Sequence, residues 1–314
     1  MKRLLILLLL VAIAVVGGAY IFISDEVQIT KVALLRVNRK TAFRCVTQRD
    51  LIKSFLDDSL TSQPDGNAYA FNRDDIAFTF KRRMFDLVEV PINYKDSEWS
   101  SFISFNELAP DSTRVEWSTK MEMSANPFKR IQQYQHAGKI HQSMAEILKQ
   151  LQKFTANNEN IYRFKIVRTK LADSLLVTTK SISKAYPSNE EYYTLIQKLQ
   201  KYLSDNKATP VNYPMLNIAR VDSNKYETTV AIPVNKVLPA NGDILFKKMF
   251  PGNILTADVS GGLYTVEEGF RQLTNYVSDF QLVPPAIPFQ SLVTDRLLQK
   301  DTAKWMTKLY YPIY

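Results

Sequence analysis

Few residues in this chain have the type and spacing for chemistry, and each has a plain structural alternative. His136 and His141 lie five residues apart on one helical stretch. A helical metal site needs ligands at i and i+4, which share a face; five residues turn the second ring away, so both are expected to face solvent. Glu190-Glu191 and Glu267-Glu268 each fall near the start of an expected helix. Paired carboxylates can do acid–base work, but acids in a first turn also favour the helix dipole, and that is the role expected of them. Ser260 and Ser291 have no His–Asp arrangement to activate them. Gly261-Gly262 lacks a phosphate-cradling pattern and fits a tight turn before a helix. The single cysteine, Cys45, excludes an intrachain disulfide and a multi-cysteine metal site, and is expected to be a small buried apolar residue. No catalytic residue, metal or cofactor is expected.

Binding is the better prospect. Tyr213, Phe250, Tyr264, Phe289, Trp305, Tyr310 and Tyr311 cluster in the last third of the chain. Along the closing segment, strand alternation sends Trp305, Thr307, Leu309 and Tyr311 to one face and Met306, Lys308 and Tyr310 to the other. The leading ligand-binding candidates are Tyr264 and the Lys308–Tyr310 face, with Trp305, Phe289 and Tyr213 as further candidates.

These residues sit in a duplicated framework. Lys304-Trp305-Met306-Thr307-Lys308-Leu309-Tyr310-Tyr311-Pro312-Ile313 echoes Lys225-Tyr226-Glu227-Thr228-Thr229-Val230-Ala231-Ile232-Pro233-Val234, sharing Lys, Thr and Pro in register. Upstream of each copy, Leu199-Gln200-Lys201-Tyr202-Leu203-Ser204-Asp205 pairs with Leu273-Thr274-Asn275-Tyr276-Val277-Ser278-Asp279. Two helix endings and two strand endings recur in one order, as in an internal repeat. Each copy reads strand–helix–strand–strand, with helices expected over 189–205 and 265–280 and further strands over 162–167 and 174–183. A groove between the copies is the natural ligand cleft.

Ahead of the repeats, Val27, Ile29, Val32 and Leu34 suggest a strand, 41–56 a helix, and 62–67 a loop. Short β-like segments follow, and Pro127 opens a long helix that Gly138 could bend. The polar run Asn157-Asn158-Glu159-Asn160 marks a boundary. At the start of the chain, Lys2 and Arg3 precede an uncharged apolar run from Leu4 to Ile23. Twenty residues at helical rise span about 30 Å, the thickness of a bilayer core. A cleaved signal peptide is the rival reading, but the run is long and lacks an A-x-A site. The expectation is therefore an uncleaved anchor in the cytoplasmic membrane, N-terminus inside and body extracytoplasmic. The net charge of +9 is diffuse, with no basic run longer than Lys81-Arg82-Arg83, so direct nucleic-acid binding is not expected.

The order of elements over 27–157 resembles the START-like, polyketide-cyclase-like (SRPBCC) superfamily, which implies a sheet wrapped about a long helix with an apolar cavity. Gly262-Leu263-Tyr264 and Trp305-Met306-Thr307-Lys308-Leu309-Tyr310-Tyr311-Pro312-Ile313 resemble the marks of the GyrI-like effector-binding domain, the ligand-sensing part of many AraC- and MerR-type bacterial regulators. That resemblance implies a pocket whose carboxylates suit cationic aromatic ligands. Lys308 stands where the family usually has Glu, and Gln290 near another, so a neutral or anionic apolar ligand is expected instead. The full expectation is an α+β chain: a transmembrane anchor over 1–25, a START-like helix-grip domain over 26–157 and a duplicated effector-binding domain over 158–314. It would bind an apolar or amphipathic small molecule or a lipid without catalysis. A hydrolase or cyclase using one cavity, or an interaction protein with filled cavities, are the alternatives.

Overall fold

The structure, a computed structural model, describes residues 7, 10, 13, 16–56, 60–62, 68–84, 87–95, 97–171, 175–249 and 251–314. It divides into two compact units, Met1–Ile161 and Tyr162–Tyr314. The membrane anchor is corrected: among the described residues, no helix is long and apolar enough to cross a membrane. The single-pass membrane location that depended on the anchor is withdrawn with it. Much of the apolar run, most of the 62–67 loop and Phe250 lie outside the described residues; residues 16–22 are helical.

The first unit is an antiparallel sheet with a long helix. Its strands are β1 (Glu26–Leu35), β2 (Thr61–Ser62), β3 (Ala68–Arg73), β4 (Ile76–Met84), β5 (Leu87–Glu89), β6 (Ile92–Tyr94), β7 (Ser97–Trp99), β8 (Ser101–Ala109) and β9 (Ser112–Glu122). They run β1-β9-β8-β5-β4-β3-β2, with β6 between β4 and β7. β1 buries Ile29, Ala33 and Leu35, while Val32 and Leu34 point outward. Ile29 and Val32 are an odd number apart, so a period of two cannot put both inside. The expected single helix over 41–56 is two, α1 (Arg39–Thr47) and α2 (Arg49–Leu56), separated by Gln48 in an extended conformation. Asn38 caps α1, its Oδ1 accepting the Thr41 N–H at 2.8 Å. Cys45 is fully buried.

The long helix α3 (Pro127–Thr155) opens on Asn126, whose side chain accepts from the N–H groups of Phe128 and Lys129. It runs through Gly138 without interruption and buries Ile140, Met144, Ile147, Leu148 and Leu151. The core also holds Phe71 stacked on Phe78 and Phe80, with Trp117 against both of the latter. The Trp117 indole N–H donates to Ser101 Oγ at 2.8 Å, and that hydroxyl donates on to the Val90 carbonyl. Arg130, almost fully buried, donates from Nε and Nη2 to the Ile23 carbonyl and from Nη2 to Asp25. His136 corrects the expectation of a solvent-facing ring: it is half-buried and packs edge-on to Tyr94, ring centroids 4.7 Å apart. Burial, then the charges of Lys139 and Lys95, hold its pKa below the ordinary histidine value. His141 is exposed.

The second unit carries the duplication. After a short helix α4 (Asn158–Tyr162), its first strand is β10 (Val167–Lys170); the strand expected over 162–167 is therefore misplaced. One repeat is β11 (Leu175–Ser183), α5 (Asn189–Asp205), β12 (Met215–Asp222) and β13 (Lys225–Pro233). The other is β15 (Asn253–Ser260), α6 (Leu263–Asp279), β16 (Phe289–Leu292) and β17 (Met306–Ile313), with β14 (Leu245–Lys248) between them. The sheet order β10-β15-β17-β16-β12-β13-β11-β14 reads alike from both ends. The strand ahead of each repeat pairs with the first strand of the other repeat. The repeats meet where Met215 pairs with Ser291 and Leu216 with Gln290.

Both helices cover one face of this sheet. Val177, Leu216, Val230 and Ile232 pack with Tyr192, Ile196, Leu199 and Leu203 of α5. Leu255, Ala257, Val259 and Leu309 pack with Val266, Leu273 and Val277 of α6. Ser188 closes α5 with a reciprocal cap, its Oγ accepting the Glu191 N–H while Glu191 accepts the Ser188 N–H at 2.6 Å. α6 approaches its strands closely because position 269 is glycine. A Cβ there would lie 2.4 Å from Leu309 Cδ1 and 3.0 Å from Val259 Cγ1.

That contact separates two glycines of equal helix propensity. Gly269→Ala gains about 1 kcal/mol of propensity, but it overpacks two fully buried side chains, a cost of about 1–3 kcal/mol. A Cβ on Gly138 would meet nothing within 4 Å. Thermal unfolding should show Gly269→Ala melting below the parent and Gly138→Ala above it.

Candidate functional site

A cavity of about 220 Å³ lies on the helix-covered face at the junction of the repeats. α6 supplies Leu263, Val266, Glu267 and Phe270; β12 supplies Leu216, Asn217 and Ile218. Pro288, Phe289 and Gln290 border it from β16 and its approach, and Tyr186 from the loop ahead of α5. Most of the lining is apolar, so a polar group of a ligand has few places to go. The groups that can meet one are the Glu267 carboxylate, the Gln290 amide and the Tyr186 phenol. Asn217 alternates with Leu216 and Ile218, so its amide faces the other side of the sheet, where Nδ2 donates to the Pro288 carbonyl at 2.9 Å. The Tyr186 phenol is pushed up to about 12, first by burial and then by the Glu267 carboxylate, with Arg296 opposing. It therefore stays protonated through the physiological range, beside Glu267.

Glu267 and Glu268 are adjacent and play opposite parts. α6 starts at Leu263, so both lie in its second turn, and its first turn holds no acid. The dipole role expected of them therefore lapses, since that effect falls off within the first turn. Glu268 points inward and is nearly buried. It accepts two hydrogen bonds from Arg271 and one from Gln272, each 2.8 Å, with Arg163 at 3.5 Å. Burial pushes its pKa up, but the bonds from Gln272 and Arg271 and the charges of Arg271 and Arg163 outweigh this and leave it lowered. Glu267 is turned by one helical step, about 100°, and faces the cavity.

The two repeats differ at this spot. With the helices aligned from their first residues, Glu267 of α6 corresponds to Tyr193 of α5. The Tyr193 hydroxyl is used by its own chain: it accepts the Arg296 N–H at 2.7 Å and donates to the Thr294 carbonyl. The segment after β16 thus closes one half of the pseudo-symmetric site and leaves the other as the cavity.

The six residues proposed from sequence fall in four places. Phe289 borders the cavity, but its ring, directly across from Tyr310, lies on the sheet face away from the helices. Lys308 and Tyr310 alternate with Thr307 and Leu309, and Leu309 faces α6; both therefore lie on the sheet face away from the helices. There Tyr310 stacks on Phe289 with ring centroids 4.8 Å apart, and Lys308 Nζ lies 6.0 Å from the Tyr310 ring. Trp305 is buried under the Arg296 guanidinium, 5.0 Å from its ring, and donates from its indole N–H to the Gln299 carbonyl at 2.8 Å. Tyr264 and Tyr213 are exposed. The residues missed were Glu267, Phe270, Tyr186, Leu216 and Ile218, which no spacing in the sequence groups together. Among the described residues, no group of three or more His, Cys, Asp or Glu could hold a metal ion.

No protein-family model matches the chain, and no curated protein matches it significantly. Solved structures similar to it include the EcmrR C-terminal domain, at 16% identity over 48% of this chain and 98% of that one, with a TM-score of 0.42. SAV2435 bound to tetraphenylphosphonium is 12% identical over 48% of this chain and 94% of that one, with a TM-score of 0.32. CalU16 from Micromonospora echinospora is 11% identical over 40% of this chain and 73% of that one, with a TM-score of 0.32. At such identities and scores the ligand of this chain has to be read from its own residues.

The lowered pKa of Glu268 fixes the sign of one pH effect. A carboxylate whose folded pKa is depressed stabilises above its unfolded pKa, near 4.3, and that stability is lost as pH falls through the folded value. Glu268→Gln should cost about 1–3 kcal/mol at pH 7. Denaturant unfolding at several pH values should show the gap between variant and parent closing below pH 4.

Proposed function

We propose that the C-terminal unit is a non-catalytic small-molecule binding module whose ligand lies in the cavity between its repeats. The observation that carries this is the Glu267 carboxylate, solvent-exposed at the rim of an otherwise largely apolar cavity, beside Tyr186 and Phe270. The ligand class that fits is a small amphipathic molecule, with one aromatic ring and a cationic or strongly donating group toward Glu267. The volume of about 220 Å³ lies below the usual 300–1,000 Å³ of drug-sized sites and favours a single substituted ring. Catalysis finds less support, because the cavity lining offers one carboxylate and no second acid or base beside it except a phenol held protonated. The N-terminal unit, in this reading, is a START-like module. Its core is occupied by Phe71, Phe78, Phe80 and Trp117, and its cleft of about 650 Å³ is bordered by the charged Glu26, Glu98, Lys120 and Glu122, so an apolar ligand is assigned to the C-terminal unit.

The expectation of a neutral or anionic ligand rested on Lys308 and Gln290 standing where the family it resembles has pocket carboxylates. With Lys308 on the other face of the sheet, Glu267 sets the local charge. Calorimetric titration of the full chain with benzylamine should detect binding, weakened about tenfold by Glu267→Gln, the usual scale for a hydrogen-bonded charge. Lys308→Glu should leave the affinity within about twofold, since this half-buried side chain lies on the sheet face away from the cavity. Equal affinities for the parent and Glu267→Gln would count against this reading.

A further inference from the structure

We infer that Arg296 is a positioning residue that turns the carboxamide NH2 of Gln290 into the cavity, so that the site also selects ligands carrying a hydrogen-bond acceptor. This rests on the binding role proposed above for the same cavity. Arg296 is 7% exposed, and every acceptor of its guanidinium among the described residues is uncharged. Nη2 donates to Thr307 Oγ1 at 2.8 Å and to Gln290 Oε1 at 3.3 Å; Nη1 donates to the Tyr192 hydroxyl at 3.2 Å; Nε has no partner. Its Cζ lies 5.0 Å from the centre of the Trp305 ring.

A guanidinium has donors only, so the amide atom that meets it must be the oxygen. Gln290 is 6% exposed and borders the cavity, and with its oxygen held by Arg296 its two N–H donors are the part left for a ligand. The cation behind the amide also polarises it, since linked hydrogen bonds strengthen one another. Glu267 offers an acceptor and Gln290 a donor, so the cavity is dipolar. The ligand class sharpens to a small aromatic carrying a cationic group and a carbonyl or similar acceptor. Glutamate at position 290 would keep the pairing with Arg296 and offer no donor.

The test compares two probes, benzylamine and 3-(aminomethyl)benzamide, by calorimetry on the full chain and its variants. The parent should bind the amide at least about tenfold tighter. Gln290→Glu and Arg296→Met should each reduce that ratio to near one, and Arg296→Lys, which retains a donor, should restore part of it. Gln290→Glu keeps the buried pairing and so guards against simple unfolding in Arg296→Met. A parent ratio near one, or a preference unchanged in both variants, overturns the inference while the binding role stands. Failure of both probes to bind the parent overturns the binding role and the inference with it.

Discussion

The join between the repeats rests on very little backbone. Met215 pairs with Ser291 and Leu216 with Gln290, and the Leu292 N–H donates to the Pro214 carbonyl at 2.9 Å. Everything that defines the cavity depends on this short antiparallel seam, because it alone aligns β12 with β16. The exchange of outer strands, β10 to β15 and β14 to β11, ties each repeat to the other far from the seam. A sheet held at both ends can keep a narrow middle in register, and a narrow middle leaves room between the helices.

Ionisable residues are distributed in keeping with that arrangement. Glu268 and Arg296 are both nearly buried, and each is satisfied differently. Glu268 has Arg271 and Arg163, so its charge is paired. Arg296 is spread over a hydroxyl, a phenol, an amide and an indole face, all neutral. Burying a charge without a counter-charge is costly unless its hydrogen bonds are made, and the unpartnered Nε shows that here they are made incompletely. Such a residue is costly as packing and is better understood through what it holds in place, which is Gln290.

The repeat architecture was legible in the sequence, because the Lys–Thr–Pro echo falls on β13 and β17 and the Leu–Tyr–Ser–Asp echo on the ends of α5 and α6. The helix over 189–205 was readable from its periodicity to the residue. The strand β14 was not, since four residues with one side half-buried carry almost no alternation. The site was the least legible part. Glu267 was read as a helix-start acid because α6 was expected to begin at 265; its start at Leu263 moves Glu267 into the second turn and onto the cavity side. Lys308 was read as a pocket residue by resemblance to a family motif, although strand alternation had already set it apart from Thr307 and Leu309. Tyr186, Leu216 and Phe270 belong to three separate elements, and only the fold brings them together.

The central claim is a location: ligand binds on the helix-covered face, at the seam, against Glu267. A crystal structure of the full chain grown with benzylamine tests it most directly. The account predicts the ring between Phe270, Ile218 and Tyr186 with the ammonium within hydrogen-bond reach of Glu267. Benzylamine seated on the Lys308–Tyr310 face, or at any site away from the seam, would contradict it.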